Sequence, residues 1–286
     1  MNLIYNQKKE EMKKFVSAPL PFQGQKRRFV KQLEEMAMLQ PEETTFVDLF
    51  GGSGLVSHIV KRARPDCRVV FNDYDHFSER LANARRTNDM IRALRPIVAD
   101  VPHKMRITEP VRSLVLEEVK LWHQSGYVDW ITLSSNLLFI MNYATNFEDF
   151  AKNTFYNRVR KEDYDVSGYL EGVEIVSMDY RPLFAMFQNE ENVVFILDPP
   201  YLSTDCSTYN SADYWKLGDY LDVLKCLQGT KYVYYTSSKS SIIELAEFIE
   251  KTDLRENPFK GAVVHKHPVK GIALNYEDIM LVKVAA

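Results

Sequence analysis

Thr44-Thr45-Phe46-Val47-Asp48-Leu49-Phe50-Gly51-Gly52-Ser53-Gly54-Leu55-Val56-Ser57-His58-Ile59-Val60 is the stretch that decides the fold. Its β-branched and apolar first half reads as a strand, its glycines as a tight turn and its last six residues as a helix. Arg68-Val69-Val70-Phe71 follows as a second strand and ends in Asn72-Asp73-Tyr74-Asp75. The unit from Thr44 to Asp75 is therefore βαβ with a parallel strand pair. Further strands are predicted at Glu174 to Asp179, Val193 to Asp198, Tyr232 to Thr236 and Asp278 to Val282. Between them, His76 to Leu170 reads as helical: Val111, Leu114, Val115 and Val119 share one helical face, and Trp130 to Met141 is apolar enough for a buried helix. The expected fold is an α/β sheet interrupted by a helical insertion. Residues 1–75 and 171–286 form its sheet domain, and residues 76–170 the inserted domain.

Composition sets the outer limits. The chain has 286 residues, 45% hydrophobic and 26% charged, with 36 Lys+Arg against 39 Asp+Glu for a net charge of −3. Dominant disorder is excluded by the spread of aromatic and aliphatic residues. A helical membrane span is excluded because runs such as Leu137 to Met141 are far shorter than the roughly 18 residues a bilayer core requires. Met1 to Phe15 is charged and lacks an apolar block, so it does not read as a secretory signal. Three cysteines are too few for a disulfide framework or a zinc cluster, and a reducing, cytoplasmic setting is expected. His265 and His267 read as part of a Lys-rich loop without ligand-spaced partners, and no metal site is expected. The slight negative charge argues mildly against a large nucleic-acid partner, although charge distribution matters more than its sum.

Chemistry gathers at the strand ends, where open α/β sheets bind ligands. The glycine turn allows a close backbone approach, and Asp73 lies 19 residues beyond Gly54, about where an acid grips ribose hydroxyls in nucleoside-binding βαβ units. The turn is not GxGxxG, which favours a nucleoside ligand without a pyrophosphate. Asp198-Pro199-Pro200-Tyr201 is sharper, since such a tetrapeptide arises by chance on the order of once in a thousand chains of this size. Two prolines remove two backbone donors and stiffen the chain, so the Asp198 carboxylate and the Pro199 carbonyl stay free as acceptors. That pair suits an amino group with two N–H donors, and Tyr201 offers a flat face to an aromatic ring bearing it.

With these motifs the chain resembles the Dam or D12 class of adenine-N6 DNA methyltransferases. Phe50-Gly51-Gly52-Ser53-Gly54 is similar to that family's FxGxG turn, Asp198 to Tyr201 is its DPPY, Phe22-Gln23-Gly24-Gln25-Lys26 resembles its amino-terminal motif, and Met178-Asp179-Tyr180 its third strand end. The resemblance implies a Rossmann-like class I methyltransferase sheet with the insertion as target-recognition domain, and S-adenosyl-L-methionine as cofactor. By the same resemblance Lys26 and the turn Gly51 to Gly54, with Asp48 nearby, hold the methionine part, Asp73 the ribose, and Tyr74, Asp179 and Tyr180 the adenine, while Phe22 and Phe50 also belong to the cofactor site. Asp198, Pro199, Pro200 and Tyr201 hold a target adenine that must be flipped out of double-stranded DNA to be reached. The polar stretch Leu202 to Asp213 could order over that base.

Contacts to DNA are expected from basic clusters at Lys26-Arg27-Arg28-Lys31, Lys61-Arg62-Arg64, Arg85-Arg86 with Arg92 and Arg95, and Arg158-Arg160-Lys161. Within the insertion, Asn146, Lys152 and Arg158 are candidate base or phosphate contacts, since Asn reads adenine and Arg reads guanine in the major groove. The family's usual Asn-Arg and Phe-Asn signature is not found cleanly. Two other readings stay open: methylation of another amine, such as RNA adenine, cytosine N4 or a protein amide, and a non-catalytic nucleic-acid-binding or cofactor-sensing protein on the same fold. A monomer is the simplest assembly, and neither a cognate endonuclease nor a target sequence can be read from the chain.

Overall fold

β-Branched and apolar runs at five places set up parallel strands, and the computed structural model of the chain, which describes residues 12–202, 215–270 and 275–284, assembles them into one sheet. In chain order the elements are α1 Val30–Met38, β1 Thr45–Asp48, α2 Leu55–Ala63, β2 Arg68–Asn72, α3 Phe77–Ala82, α4 Ala84–Ile97, α5 Val111–Gln124, α6 Trp130–Leu137 and α7 Phe147–Lys152. There follow β3 Glu174–Val176, α8 Tyr180–Phe187, β4 Val193–Leu197, α9 Leu217–Leu227, β5 Lys231–Ser237, α10 Ile242–Lys251, β6 Val263–Val269 and β7 Tyr276–Lys283. The seven strands lie in the order β3-β2-β1-β4-β5-β7-β6. β1 to β5 are parallel, and β7 runs antiparallel to both of its neighbours. This is the doubly wound α/β sheet with a reversed seventh strand that defines the Rossmann-like class I methyltransferase fold.

Both faces of the sheet are covered, as a parallel sheet requires. Side chains alternate along each strand. Phe46, Val69, Val194, Ile196 and Val233 join α1 and α2 on one face, while Val47, Val70, Phe195, Leu197 and Tyr232 join α8, α9 and α10 on the other. A third apolar cluster, from Met90 to Val159, belongs to the helical stretch between β2 and β3. Phe77, Tyr164 and Tyr169, at the two ends of that stretch, pack instead with the sheet. There the outgoing and returning chains are clasped: Asn88 donates to the Tyr164 carbonyl at 2.9 Å and accepts from the Tyr164 N–H at 2.8 Å.

Three expectations are corrected. The apolar run from Trp130 stays helical only to Leu137, because Leu138 is extended and Met141 takes a positive φ of 71°. Its last residues, Phe139, Ile140 and Met141, are exposed rather than buried. Leu114 is likewise exposed, although Val115 and Val119 on the same helix are buried. His265 and His267 lie in β6 and not in a loop, and the His267 ring meets Phe29 edge-on at 4.9 Å.

Candidate active site

In the order β3-β2-β1-β4-β5 the chain reverses direction of winding between β1 and β4, the place where open α/β sheets form their ligand crevice. β1 ends in Asp48 and β4 runs directly into Asp198, so two carboxylates stand side by side at this point. Asp48 is buried and accepts from the Ser57 hydroxyl at 2.8 Å. Burial pushes its carboxyl up to about 7, with the neighbouring Asp198 charge adding to the rise. The recessed Asp198 carboxyl is also raised, by burial, and Lys26 opposes that rise.

Lys26 arrives from the segment before α1. Its side chain is buried, donates to the Gly24 carbonyl at 2.7 Å and pairs with the Asp198 carboxylate. The ammonium also sits 5.7 Å from the ring centre of Tyr201 and 5.6 Å from that of Tyr235. Tyr235, on β5, has a buried hydroxyl that finds no hydrogen-bond partner among the described residues. It was not singled out from the sequence; its position two residues before the end of β5 is the one signal that could have done so.

The glycine turn follows from close packing. A Cβ on Gly51 would lie 2.1 Å from the Phe71 ring and 2.8 Å from the Asn72 carbonyl, and Gly52 and Gly54 have φ of 51° and 70°. Phe22 lies over Gly52, and the Tyr169 hydroxyl donates to the Ser53 carbonyl at 3.0 Å. Asn72 ties the strand ends together by donating to the Leu49 and Met178 carbonyls and accepting from the Met178 N–H. Phe22, Lys26, Asp48, Phe50, Gly51 to Ser53 and Asp198 thus line one cavity of about 30 Å³, and Gly54 closes the turn beside it. That space holds a water or two and must open for a nucleoside. A larger recess of about 300 Å³ beside Arg255 and Lys283 lies at the opposite, amino-terminal end of β5 and brings no reactive groups together.

Other expected contacts fall elsewhere. The Asp73 carboxylate accepts from the Phe77 N–H at 2.6 Å and from the Ser78 N–H and hydroxyl at the start of α3, and it is buried. Tyr74 beside it is exposed. Asp179 accepts from the Arg181 N–H at the start of α8, and Tyr180 is buried in an aromatic group with Phe50 and Trp215, at 4.9 and 5.7 Å. Asn146 caps α7 by accepting from the Asp149 N–H at 2.8 Å. Arg27 and Lys152 are exposed and Arg158 half-buried; none of the three makes an ion pair among the described residues. Several basic clusters are spent internally, for Arg62 pairs with Glu34, Arg64 serves the Ala37 and Gln40 carbonyls, and Arg92 and Arg95 pair with Asp163. The stretch Leu202 to Asp213 lies, beyond Leu202, outside the described residues.

Does the crevice suit a methyl donor? The glycine turn offers backbone at close approach, Asp48 offers a carboxyl group, and Phe50 offers an aromatic ring to the same cavity. The donor set fits. Sheet order and strand-end chemistry together define a methyltransferase of the class I fold. The profile of the D12 class N6 adenine-specific DNA methyltransferase family matches residues 22–106, and a Haemophilus influenzae protein named "Putative methyltransferase" is 35% identical across 99% of this chain and 97% of its own length. The chain belongs to the D12 class methyltransferase family. Precorrin-6y C5,15-methyltransferase from Geobacter metallireducens, at 9% identity, overlays 95% of this chain and 100% of its own with a TM-score of 0.38.

Proposed function

We propose that this protein transfers the methyl group of S-adenosyl-L-methionine to N6 of an adenine flipped out of double-stranded DNA. One observation carries the reading: the Asp198 carboxylate holds a nitrogen cation, the Lys26 ammonium, which itself sits 5.7 and 5.6 Å from the Tyr201 and Tyr235 ring centres, so the end of β4 is a place where a nitrogen group meets a carboxylate beside aromatic rings. The family profile supports adenine in DNA as the acceptor's identity. When bound, the cofactor supplies an electrophilic methyl on a sulfonium centre.

The protein's part is orientation. An exocyclic adenine amine is a weak nucleophile because its lone pair is delocalised into the ring. Accepting its two N–H bonds at the Asp198 carboxylate and the Pro199 carbonyl turns that lone pair toward the methyl carbon. Tyr201 stacks on the base and offsets part of an unstacking cost of a few kcal/mol. The amine nitrogen would take the methyl as the C–S electron pair stays on the donor, and the Asp198 carboxylate, which accepts one of its N–H bonds, would take up the proton that the methylated nitrogen gives up. Asp73 and Asp179, engaged as helix caps, are not assigned to the cofactor in this reading; Asp48, Phe50 and the turn Gly51 to Gly54 are.

The test is incubation with methyl-labelled cofactor and plasmid DNA, then digestion and identification of the labelled nucleoside. N6-methyladenosine in its deoxy form is the expected product, and Asp198→Ala protein is expected to give none. Label in cytosine, in RNA only, or in no acceptor while the folded protein binds cofactor overturns the proposal.

A further inference from the structure

Lys26 is bonded to the acceptor side of the crevice. The amino-terminal motif to which it belongs suggests a contact to the methionine part of the donor, yet its ammonium is spent on the Asp198 carboxylate and the Gly24 carbonyl. Resting on the function proposed above, the geometry points to Lys26 as a positioning residue that fixes the Asp198 carboxylate as the acceptor of the target amine.

Asp198 accepts an amine hydrogen on either oxygen only while it is ionised; a protonated carboxyl turns one oxygen into a donor. Its surroundings work against the charge. Asp48 faces it from β1, Asp278 from β7, and Tyr201, Tyr234 and Tyr235 crowd it. Asp278 is itself answered by Arg28 at 2.8 Å. Lys26 is the cation in contact with Asp198, and it is buried, so solvent screens the pair little. Its anchor is equally specific: the segment that gives Gly24 to the ammonium lays Phe22 across Gly52. The acceptor carboxylate is thereby tied to the turn that would hold the donor, and the two substrates are registered against each other through the five residues from Phe22 to Lys26.

Lys26→Met keeps the length of the side chain and deletes the charge; Lys26→Arg keeps the charge. Both are measured beside the unaltered protein in two ways. In steady-state kinetics, Lys26→Met is expected to lower kcat by about tenfold or more, to leave donor affinity within about threefold, and to move the acid limb of the kcat/KM profile upward by about one pH unit or more. Lys26→Arg is expected to return the limb toward its original place. In carbon NMR of aspartate-labelled protein, the Asp198 carboxyl, assigned by its loss in Asp198→Asn, is expected to titrate higher in Lys26→Met by the same margin. An unmoved Asp198 titration in folded Lys26→Met protein, or a collapse of donor affinity with kcat at saturation intact, overturns the assignment; should Lys26→Met not fold, Lys26→Gln is read in the same titration. If the unaltered protein methylates no nucleoside, the proposed function falls, while the NMR titration still decides the role of Lys26.

Discussion

Asp48 keeps its proton to about pH 7 in the folded protein, whereas in the unfolded chain it gives it up near 3.8. Between those values the folded state binds more protons, so this carboxyl's contribution makes stability fall as pH rises through the window. The penalty above pH 7 is at most about 4 kcal/mol for a shift of this size. Asp48→Asn, which still accepts from Ser57, should flatten the fall between pH 4 and 7, as read by urea unfolding at several pH values; an unchanged slope would show that Asp48 ionises freely. At this scale the sequence was legible in part. Asp198 to Tyr201 and Gly51 to Gly54 stand out because each is a local pattern with its own chemistry. The Lys26–Asp198 pair joins residues 172 apart, and nothing local announces it. Asp73 shows the same limit, since its spacing from the glycine turn was legible but its hydrogen bonds to the start of α3 were not.

The elements around the crevice depend on two supports. The first is Gly51, whose missing Cβ lets the turn lie against Phe71 and Asn72. Neither a packed ring nor backbone can give way by an ångström, so Gly51→Ala should destabilise the fold by roughly 2–4 kcal/mol and displace the turn. Thermal unfolding and cofactor titration would read both effects, and a wild-type Tm would refute the packing argument. The second is Arg80 on α3, which donates to Asp129 at 3.0 Å and to the Pro21 carbonyl at 2.8 Å. Asp129 also caps α6 through the Thr132 N–H. Removing one partner of a buried pair leaves the other charge uncompensated, so Asp129→Ala should cost roughly 3–5 kcal/mol. A double-mutant cycle with Arg80→Ala measures the coupling, and a value near zero would mean that the pair is solvated. Strands β1 to β5 were legible from β-branched runs bounded by turn residues. β6 was not, because its alternating histidine and lysine are those of an exposed edge, and the end of α6 was not, because Phe139 to Met141 are apolar yet unburied.

For the molecule as a whole, a net charge of −3 and many internally paired arginines leave a small cationic surface for a polyanion. Arg27, Lys152 and Arg158 are cations without carboxylate partners among the described residues. If a handful of such groups meet phosphates, the affinity for duplex DNA should fall with salt at a log–log slope of about −0.9 per phosphate neutralised. A fluorescence titration across salt concentrations gives that slope, and charge reversal at Arg27, Lys152 or Arg158 should each lower it by about one. A salt-independent affinity would remove phosphate contact from the account. No helix among the described residues is long and apolar enough to cross a membrane.

The clasp between Asn88 and Tyr164 brings the two ends of a long helical segment together beside the sheet. A segment whose ends already adjoin can lengthen, shorten or be replaced at little cost to its host. In evolutionary terms the clasp is a splice point. Variation between residues 88 and 164 can accumulate under one selection while the strand ends carrying Asp48 and Asp198 are held under another, with Arg80 and Asp129 as the joint a new cassette has to keep.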